Sequence, residues 1–415
     1  FVCRLLHLKI ISLKKPLQIG LCNKAGYYMK IGLTKFNYPE IRCVTTSQEN
    51  DYINLKKYNI YYYFNNIPVI KNYFHRFLFK PISVKNVDVI HSFNDICLTN
   101  NKWVVTFETM LPRFLDILSN HKNLNPEYIY NDEINKYLEV VARDNCLGVI
   151  ALSKSAKKIQ SDILKAYPKV RDKIEKKMFV LYPPQKIYTT QHEIEEKVLK
   201  PLKLIFVGND FYLKGGAECI LAINELLEEG IISENEIMLT VVGILNRTHN
   251  YSFGIYQDDS DFSKNINTII MNRKNIKIYS NVDNNKVIEM IREHHIGLLP
   301  TWADTFGYSV LEFQACGCPV ISTDVRALSE INNNDIGWLI NVDKNKYGEI
   351  VVDSYSKKDL CRRTIIDQLK KHILSAYENP NVVINKGVES LNRIKKEHSI
   401  DYYNDKIKSV YTIGI

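Results

Sequence analysis

The chain has 415 residues, of which 45% are hydrophobic and 24% are charged, so it is long enough to bury a large core and to divide into two domains. Its net charge of +9 is a mild basic excess that suits anionic small molecules, anionic glycans or an anionic membrane surface. The basic residues are dispersed, without an arginine-rich stripe or a zinc-ligand spacing, so we expect no nucleic-acid binding.

The nine cysteines are odd in number and scattered, which predicts reduced thiols in a cytoplasmic protein rather than a disulfide framework. Cys316 and Cys318 are interpreted as small residues at a tight helix end, not as metal ligands. Residues 1–11 are apolar but carry interior charges and lack a small-residue cleavage site, so we interpret them as a peripheral extension or a cloning artefact. No apolar run reaches the length of a membrane span. The many Asn, Lys, Ile and Tyr residues indicate an AT-rich, bacterial genome.

The first part of the chain has the pattern of a doubly wound domain. Residues 17–22 are predicted as its first strand, followed by a turn that contains Gly26 and a helix-like stretch to Phe36. Further predictions in this part are strands at 41–45 and 60–63 and an aromatic-rich helix at 69–78. Residues 87–92 and 104–108 are apolar runs that end in polar residues, as parallel strands do where they deliver side chains to a cleft.

Three polar side chains near these strand ends are candidates for ligand contact. Glu108 is interpreted either as a ligand-binding or acid/base group or as an ordinary helix-capping carboxylate. His91 fits a buried structural histidine better than a base. Arg113 is either a contact for a phosphate or an anionic acceptor, or a surface arginine.

The first domain is predicted to end in a helix at 130–145, a strand at 148–152, a helix capped by Ser153 and a strand at 178–181. The charged, aperiodic residues 185–200 are then predicted to be an interdomain linker.

The second domain begins with a strand at 202–208 and a loop at 209–216 that leads into a helix. Lys214 precedes Gly215 and Gly216 at the start of this helix. A lysine supplies a point charge, and glycines at a helix N-terminus expose backbone donors, so this loop suits a diphosphate.

After a strand at 237–242, residues 246–265 form a polar insertion that contains Asp259-Ser260-Asp261. An Asp-x-Asp sequence can bind a metal, but this one follows no apolar strand and lies among polar residues. We therefore interpret it as a solvated loop and expect no metal requirement.

Residues 297–331 are the most informative segment. An apolar run at 296–299 predicts a buried strand, and residues 301–305 form a loop at its carboxyl end. A helix is predicted over 308–316, with Gly317 as its C-cap. Asp304 in the loop and Glu312 in the helix place two carboxylates beside an anion-binding helix N-terminus, an arrangement that suits the hydroxyl groups of a nucleotide sugar.

This segment resembles the signature of the retaining glycosyltransferases of family 4, which have the two-domain GT-B fold. The signature is an acidic residue, seven intervening residues and a glutamate, followed by Gly-x-Pro-Val; here it runs from Asp304 to Glu312, with Gly-Cys-Pro-Val at 317–320. Three departures are visible. Asp304 is shorter than the usual glutamate, Asn209 stands where an arginine is usual, and Gly26 stands where many members have two glycines.

By this resemblance, Glu312 holds the ribose hydroxyls, while Asp304, Tyr308 and the backbone around Phe306 and Gly307 hold the transferred sugar and the diphosphate. The implied donor-binding set is Gly208, Asn209, Lys214, Gly215, Gly216, Thr305, Phe306, Gly307, Tyr308 and Glu312. Asp304, Glu312, Lys214 and Glu108 are the catalytic candidates, and Gly26, His91 and Arg113 are the candidates for contact with the sugar or the acceptor.

The resemblance implies an α/β GT-B fold with two Rossmann-like doubly wound domains that face each other across a cleft. Residues 1–184 would bind the acceptor, 185–200 would link the domains, 201–399 would bind the nucleotide sugar, and a final helix at 400–415 would pack back on the first domain.

The implied activity is metal- and cofactor-independent transfer of a hexose, with retention, to a glycan or lipid-linked acceptor of surface polysaccharide or lipopolysaccharide synthesis. The implied location is the cytoplasm, at the inner membrane. The departures from the signature leave open an inactive nucleotide-sugar-binding subunit. A GT-B epimerase or phosphorylase is a second alternative.

Overall fold

The computed structural model describes residues 28–57 and 77–413, whose strands form two six-stranded parallel sheets and one two-stranded sheet. The strands are β1 (Met29–Leu33), β2 (Asn50–Asn54), β3 (Leu78–Phe79), β4 (Val89–Phe93), β5 (Ile96–Cys97), β6 (Trp103–Phe107), β7 (Cys146–Ala151), β8 (Met178–Val180), β9 (Leu202–Asp210), β10 (Ile237–Ile244), β11 (Ile276–Tyr279), β12 (Ile296–Leu299), β13 (Val320–Thr323) and β14 (Trp338–Ile340).

The α-helices of the same residues connect these strands and cover both faces of the sheets. They are α1 (Tyr38–Cys43), α2 (Leu115–Asn120), α3 (Asp132–Ala142), α4 (Lys154–Leu164), α5 (Pro168–Lys176), α6 (Gln191–Glu195), α7 (Gly216–Glu228), α8 (Ser260–Asn272), α9 (Asn284–Arg292), α10 (Tyr308–Ala315), α11 (Leu328–Ile331), α12 (Tyr355–Glu378), α13 (Pro380–Glu397) and α14 (Ile400–Ile413). None of them is long and apolar enough to span a bilayer.

In each large sheet the strands are parallel, and the sequence order of neighbouring strands reverses once. The first has the order β2-β1-β4-β6-β7-β8, and the second has the order β11-β10-β9-β12-β13-β14. We call the residues up to 184 the first half and residues 201–399 the second half. The order reverses between β1 and β4 and between β9 and β12, and ligands of open parallel sheets bind at such points. The predicted α/β fold with two doubly wound sheets is confirmed.

The central strands were predictable because they are buried on both faces. Every residue of β4, β6, β12 and β13 is buried, and each strand reads as an almost continuous apolar run in the sequence. The predicted helix after Ser153 is also present, since the Ser153 hydroxyl accepts a hydrogen bond from the amide of Ala156 at the start of α4 (3.0 Å).

Two predictions near the start of the chain are wrong. The stretch up to Phe36, expected to be helix-like, contains strand β1, because Ile31 and Leu33 are fully buried between β2 and β4. Residues 41–45, expected to be a strand, belong partly to helix α1, which places Cys43 in the core. Tertiary packing overrides the local propensity here.

Several predictions lie outside the described residues and stay predictions. They are the strands at 17–22 and 60–63, the turn at Gly26 and most of the helix at 69–78, of which only Leu78, in β3, is described.

The linker at 185–200 is more ordered than its composition indicated. It contains helix α6, which begins with a capping box between Thr190 and Glu193, and Ile194 in it is buried against Gly317 and Gly387. The linker therefore packs on the second half. Its charged composition did not indicate the short amphipathic helix that it contains.

The last helix, α14, follows α13 of the second half but packs on the first sheet. The hydroxyl of Tyr411 lies 2.6 Å from Nδ1 of the buried His91, and the hydroxyl of Tyr403 donates to the carbonyl of Cys43. Where the chain crosses in each direction, the two segments are hydrogen-bonded: Gln185 N donates to His398 O (2.9 Å), and His398 Nδ1 donates to Pro183 O (2.8 Å).

Seven of the cysteines lie in the described residues, and all seven are free thiols. Both Cys316 and Cys318 are fully buried, and the thiol of Cys318 lies 3.1 Å from the carbonyl oxygens of Ile291 and His294. The packing thus agrees with their interpretation as small residues at a helix end.

Candidate functional site

The switch point of the second sheet brings the loop after β9 against the loop after β12. Gly215 has a φ of +84° and lies so close to Pro300 that a β-carbon would overlap the carbonyl oxygen of Pro300. The carbonyl of Leu213 accepts hydrogen bonds from Trp302 N (2.9 Å) and from the Thr301 hydroxyl (3.1 Å). The two predicted donor-binding loops are therefore one rigid unit.

An ion pair between Lys214 and Asp304 lies on this unit. Lys214 Nζ is 2.8 Å from Asp304 Oδ2 and 3.1 Å from the carbonyl oxygen of Ala303. The second carboxylate oxygen, Asp304 Oδ1, accepts a hydrogen bond from Phe306 N (3.1 Å) and so holds the loop that leads to α10. Side-chain exposure is 22% for the lysine and 12% for the aspartate, so solvent reaches both.

Helix α10 begins at Tyr308, after Gly307 with its φ of +93°, and ends before Gly317 with its φ of +68°. This confirms the predicted strand, loop and capped helix. The first amides of α10 and the positive end of its dipole point to the carboxyl edge of the sheet, where an anion is stabilised.

Glu312 lies one turn into α10 and is 5% exposed. Its Oε1 accepts a hydrogen bond from Arg42 Nη1 (2.6 Å), which comes from α1 of the first half, and a longer one from Asn284 Nδ2 (3.3 Å). Arg42 also donates through Nη2 to the side-chain oxygen of Gln185, and its guanidinium carbon lies 4.8 Å from the centre of the Tyr308 ring. An ion pair thus connects the two halves at the residue predicted to bind ribose.

Tyr308 joins the same contact. Its hydroxyl lies 3.2 Å from the thiol of Cys43, next to Arg42 in α1. Burial raises the pKa of Tyr308 well above its ordinary value, and the neighbouring Cys43 and Glu108 act in the same direction. The phenol is therefore neutral at physiological pH and can serve as a hydrogen-bond donor.

The other predicted donor-binding residues lie along the same two loops. A β-carbon at Gly208 would lie 2.9 Å from Cβ of Lys214, so this glycine makes room for the lysine stem. Gly216 is the first residue of α7 and lies against the ring of Phe211. Asn209 is exposed near the end of β9, and Thr305 is partly exposed between Asp304 and Phe306.

In the first half, Glu108 stands at the end of β6 with an 18% exposed side chain. Asn94 binds it twice, accepting from Glu108 N (3.0 Å) and donating to Glu108 Oε2 (3.2 Å). Arg113 Nη1 lies 3.7 Å from the same carboxylate oxygen. The N-cap of the following helix α2 is Phe114, so the helix-capping interpretation of Glu108 is wrong, and Glu108 and Arg113 form a pair at the edge of the cleft.

His91 does not reach the cleft, which corrects its place among the candidates for ligand contact. The side chain is fully buried; Nδ1 faces the Tyr411 hydroxyl, and Nε2 lies 2.8 Å from the Thr106 hydroxyl. Burial lowers the pKa of His91 to about 3, so the imidazole is neutral and structural, as its apolar sequence context indicated.

A second connection between the halves was not predicted. Arg326, which follows β13, has a φ of +47° and is buried. Its Nη1 lies 2.8 Å from Glu349 Oε1, and its Nε donates to the Ser155 hydroxyl of the first half (3.2 Å). His121 Nε2 of the first half lies 3.0 Å from the same Glu349 oxygen. Burial raises the pKa of Glu349, but the hydrogen bond from His121 and the charge of Arg326 outweigh it and lower the pKa to about 2.

Glu330 of α11 makes a third connection, because its carboxylate accepts hydrogen bonds from Lys154 N and Ser155 N, both at 2.7 Å. These amides belong to the first turn of α4 in the first half. Nothing local in the sequence distinguishes Arg326 or Glu330 from surface residues.

The Asp-x-Asp of the polar insertion, which we interpreted as a solvated loop, lies at the start of a helix. Asp259 is the N-cap of α8, its Oδ1 accepting from Asp261 N (3.1 Å) and Phe262 N (2.9 Å), and Asp261 lies in the first turn. Within the two described ranges, no three His, Cys, Asp or Glu side chains come close enough together to hold a metal ion.

Comparison with known proteins agrees with this architecture. Residues 188–371, which contain Lys214, Asp304 and Glu312, match the family model of glycosyl transferases group 1. An uncharacterised 41.2 kDa protein in the cps region of Klebsiella pneumoniae is 32% identical over 107 residues, which are 24% of this chain and 30% of that protein. The matched stretch thus spans under a third of the relative.

Three solved structures share the fold over nearly their whole length. The Anabaena protein Alr3699/HepE, in complex with UDP and glucose, is 12% identical with a TM-score of 0.54, covering 92% of this chain and 99% of that one. A glycosyltransferase from Rickettsia africae ESF-5 is 15% identical with a TM-score of 0.52, covering 93% and 98%. WaaG, a glycosyltransferase involved in lipopolysaccharide biosynthesis, is 14% identical with a TM-score of 0.52, covering 92% and 100%.

These similarities identify the fold as GT-B, as the resemblance predicted. The segment 188–371, which makes up less than half of the chain, is similar to group 1 glycosyltransferases.

Proposed function

We propose that the protein is a retaining glycosyltransferase that moves a hexose from a nucleoside diphosphate to a glycan or lipid-linked acceptor. The observation that carries the proposal is the rigid unit of the two loops, where Lys214, Asp304 and the N-terminus of α10 meet at the switch point between β9 and β12. The donor would lie on the second half, residues 201–399, and the acceptor on the first half.

The chemical role of this unit is to stabilise charge on the departing diphosphate. Lys214 and the amides at the starts of α7 and α10 supply preorganised positive charge, and this is the reason for proposing that no metal is required. Glu312 would accept the ribose hydroxyls, and Asp304 would orient the sugar. Attack by the acceptor on the same face of the sugar would retain the anomeric configuration, and Glu108, which pairs with Arg113, would orient the acceptor hydroxyl.

Two of the comparisons favour surface polysaccharides as the biological setting. WaaG acts in lipopolysaccharide biosynthesis, and the Klebsiella relative comes from a cps region. We therefore propose an acceptor of this class and a cytoplasmic location at the inner membrane.

The test is a screen of UDP-, GDP-, ADP- and TDP-sugars for binding and slow hydrolysis in the presence of EDTA. Wild type is expected to bind and slowly hydrolyse one donor. Glu312→Ala should bind this donor at least about tenfold more weakly, because the ribose loses a charge-assisted hydrogen bond.

Each result of the screen has a defined meaning. Binding of a donor that no acceptor extract converts would favour an inactive subunit, and interconversion of donors without an acceptor would favour an epimerase. Equal donor binding by Glu312→Ala and wild type would contradict the assigned site.

A further inference from the structure

Two ion pairs of the cleft each use one of the two signature carboxylates. Lys214 and Asp304 pair within the second half (2.8 Å), and Arg42 and Glu312 pair across the halves (2.6 Å). The carboxylates proposed to bind sugar and ribose hydroxyls are thus both paired with cations. A nucleotide sugar presents two charged phosphates beside neutral hydroxyls. When it binds, the phosphates become possible partners for the two cations, and the hydroxyls become possible partners for the two carboxylates.

Arg42 is positioned to take part in this change. Its guanidinium packs on the ring of Tyr308, the first residue of α10, and so lies beside the anion-binding end of that helix as well as beside Glu312. Two of its contacts, with Tyr308 and with Gln185, are uncharged and do not depend on Glu312. Its side chain is 12% exposed, so its charge acts in a largely desolvated space.

The loop after β9 leaves the second phosphate without a local cation. Lys214 supplies one charge and shares it with Asp304, while Asn209, exposed near the end of β9, offers an amide. Arg247 is an alternative cation in the second half, since it pairs with Asp210 at the end of β9. It is paired with Asp210 at 3.1 Å, and the side chains of the pair are 54% and 49% exposed. A pair so open to solvent contributes little, whereas a guanidinium in a shielded site binds a phosphate in a strong, two-pronged geometry.

We infer that Arg42 exchanges partners when the donor binds: its guanidinium leaves Glu312 for the diphosphate, and Glu312 becomes available to the ribose hydroxyls. This inference rests on the proposed function and adds a donor-binding residue from the half that would otherwise hold the acceptor. No covalent bond changes in the exchange. The total charge of the cation and carboxylate pair is kept, and the diphosphate gains a counter-charge that the loop after β9 lacks.

The exchange makes a distinctive prediction, because it separates the diphosphate from the nucleoside. Without Arg42, the protein has one cation fewer to bind the diphosphate. A nucleoside, in contrast, can bind Glu312 without first breaking the ion pair between Glu312 and Arg42. In Arg42→Ala, affinity for the nucleoside diphosphate is expected to fall about tenfold or more. Affinity for the corresponding nucleoside is expected to stay the same or to rise. Arg42→Lys keeps the charge but loses the bidentate guanidinium, so its diphosphate affinity should lie between those of wild type and Arg42→Ala.

The experiment measures Kd by calorimetry or competition for UDP, GDP, ADP and TDP and their nucleosides in wild type, Arg42→Ala, Arg42→Lys and Arg247→Ala. The same proteins are titrated with the bound diphosphate at several salt concentrations. Wild type and Arg247→Ala should show a steeper salt dependence than Arg42→Ala, since a lost phosphate contact removes a screened interaction. This second readout does not require measurable nucleoside binding, and Arg42→Lys serves if Arg42→Ala does not fold.

The inference is overturned if Arg42 variants change diphosphate and nucleoside affinity by the same factor, which would make Arg42 a structural residue or a simple block of the ribose site. It is also overturned if Arg247→Ala, and not Arg42→Ala, shows the selective loss. A wild type that binds none of the four diphosphates would instead contradict the proposed function itself, so the two failures are distinguishable.

Discussion

Among single residues, Lys214 has the most important role in the proposed chemistry, because it would stabilise the charge on the departing diphosphate. Its ammonium group lies 2.8 Å from Asp304, on a loop that Gly215 holds against Pro300. A charge fixed in this way needs no rearrangement when the leaving diphosphate develops its own charge, and preorganisation of this kind is usually the largest contribution to catalysis. Loss of the ammonium group should therefore affect the rate more than donor binding.

In Lys214→Met, kcat for release of the nucleoside diphosphate is expected to fall by about 10²- to 10³-fold, with a smaller change in donor Kd. Lys214→Arg should recover part of the rate. The measurement is the initial rate of diphosphate release at saturating donor. Lys264→Met is the matched control, because Lys264 also forms a lysine–aspartate pair, with Asp261, but is 72% exposed on α8. A wild-type rate in Lys214→Met would remove Lys214 from the mechanism.

Single residues were predictable where a local pattern marks them, and not where the role depends on distant packing. Lys214, Asp304 and Glu312 follow from glycines, spacing and a strand–loop–helix pattern within short segments. Arg42 lies 270 positions from Glu312 in the sequence. Its stretch was predicted to be a strand, and only the packing of α1 against α10 brings it to Glu312. Arg326 and Glu330 were missed for the same reason.

At the scale of elements, the buried parallel strands were predictable because burial on both faces leaves a continuous apolar run. Short helices such as α1 and α6 were not, since six or five residues are too few for a helical period to appear. Helix α4 illustrates a further limit. Its Ser153 cap was visible in the sequence, while the second acceptor at its N-terminus, Glu330, comes from the other half of the chain.

Glu330→Gln is expected to lower the free energy of unfolding by about 1 kcal/mol, because the first turn of α4 loses a carboxylate that satisfies two amides and faces the positive end of the helix. Urea unfolding at pH 7 measures the change. Glu289→Gln is the control, since Glu289 is 60% exposed and pairs along its own helix with Lys286. If both variants lose the same stability, Glu330 does not act as a cap across the halves.

At the scale of the whole molecule, the free energy of unfolding should depend on pH because of three buried histidines. His91, His295 and His398 are each at most 4% exposed, and burial lowers their pKa values to about 3, 3 and 4. The unfolded chain binds protons at these histidines below their ordinary pKa of about 6.5, while the folded chain does not. Folded stability is therefore present above this value and falls as the pH drops below it.

The free energy of unfolding is expected to be lower at pH 5 than at pH 7.5, by about 1 to 2 kcal/mol for each histidine. Urea titrations at the two values measure this. Glu349 does not interfere, because its lowered pKa gives a stability that persists above about 4.5 and is lost only as the pH falls toward 2. His91→Asn should be less stable at pH 7.5 but show a shallower loss. Equal stability of the wild type at both values would mean that these histidines take up protons in the fold.

The return of α14 to the first sheet makes the first half a discontinuous domain, assembled from the two ends of the described chain. A fragment that stops at residue 184 would leave the β6 and β7 surface bare and His91 without Tyr411. Exchange of the second half with that of a relative would thus need two joints rather than one. Both joints fall where Pro183 and Gln185 meet His398, so a transplanted half would arrive with its entry and exit already side by side.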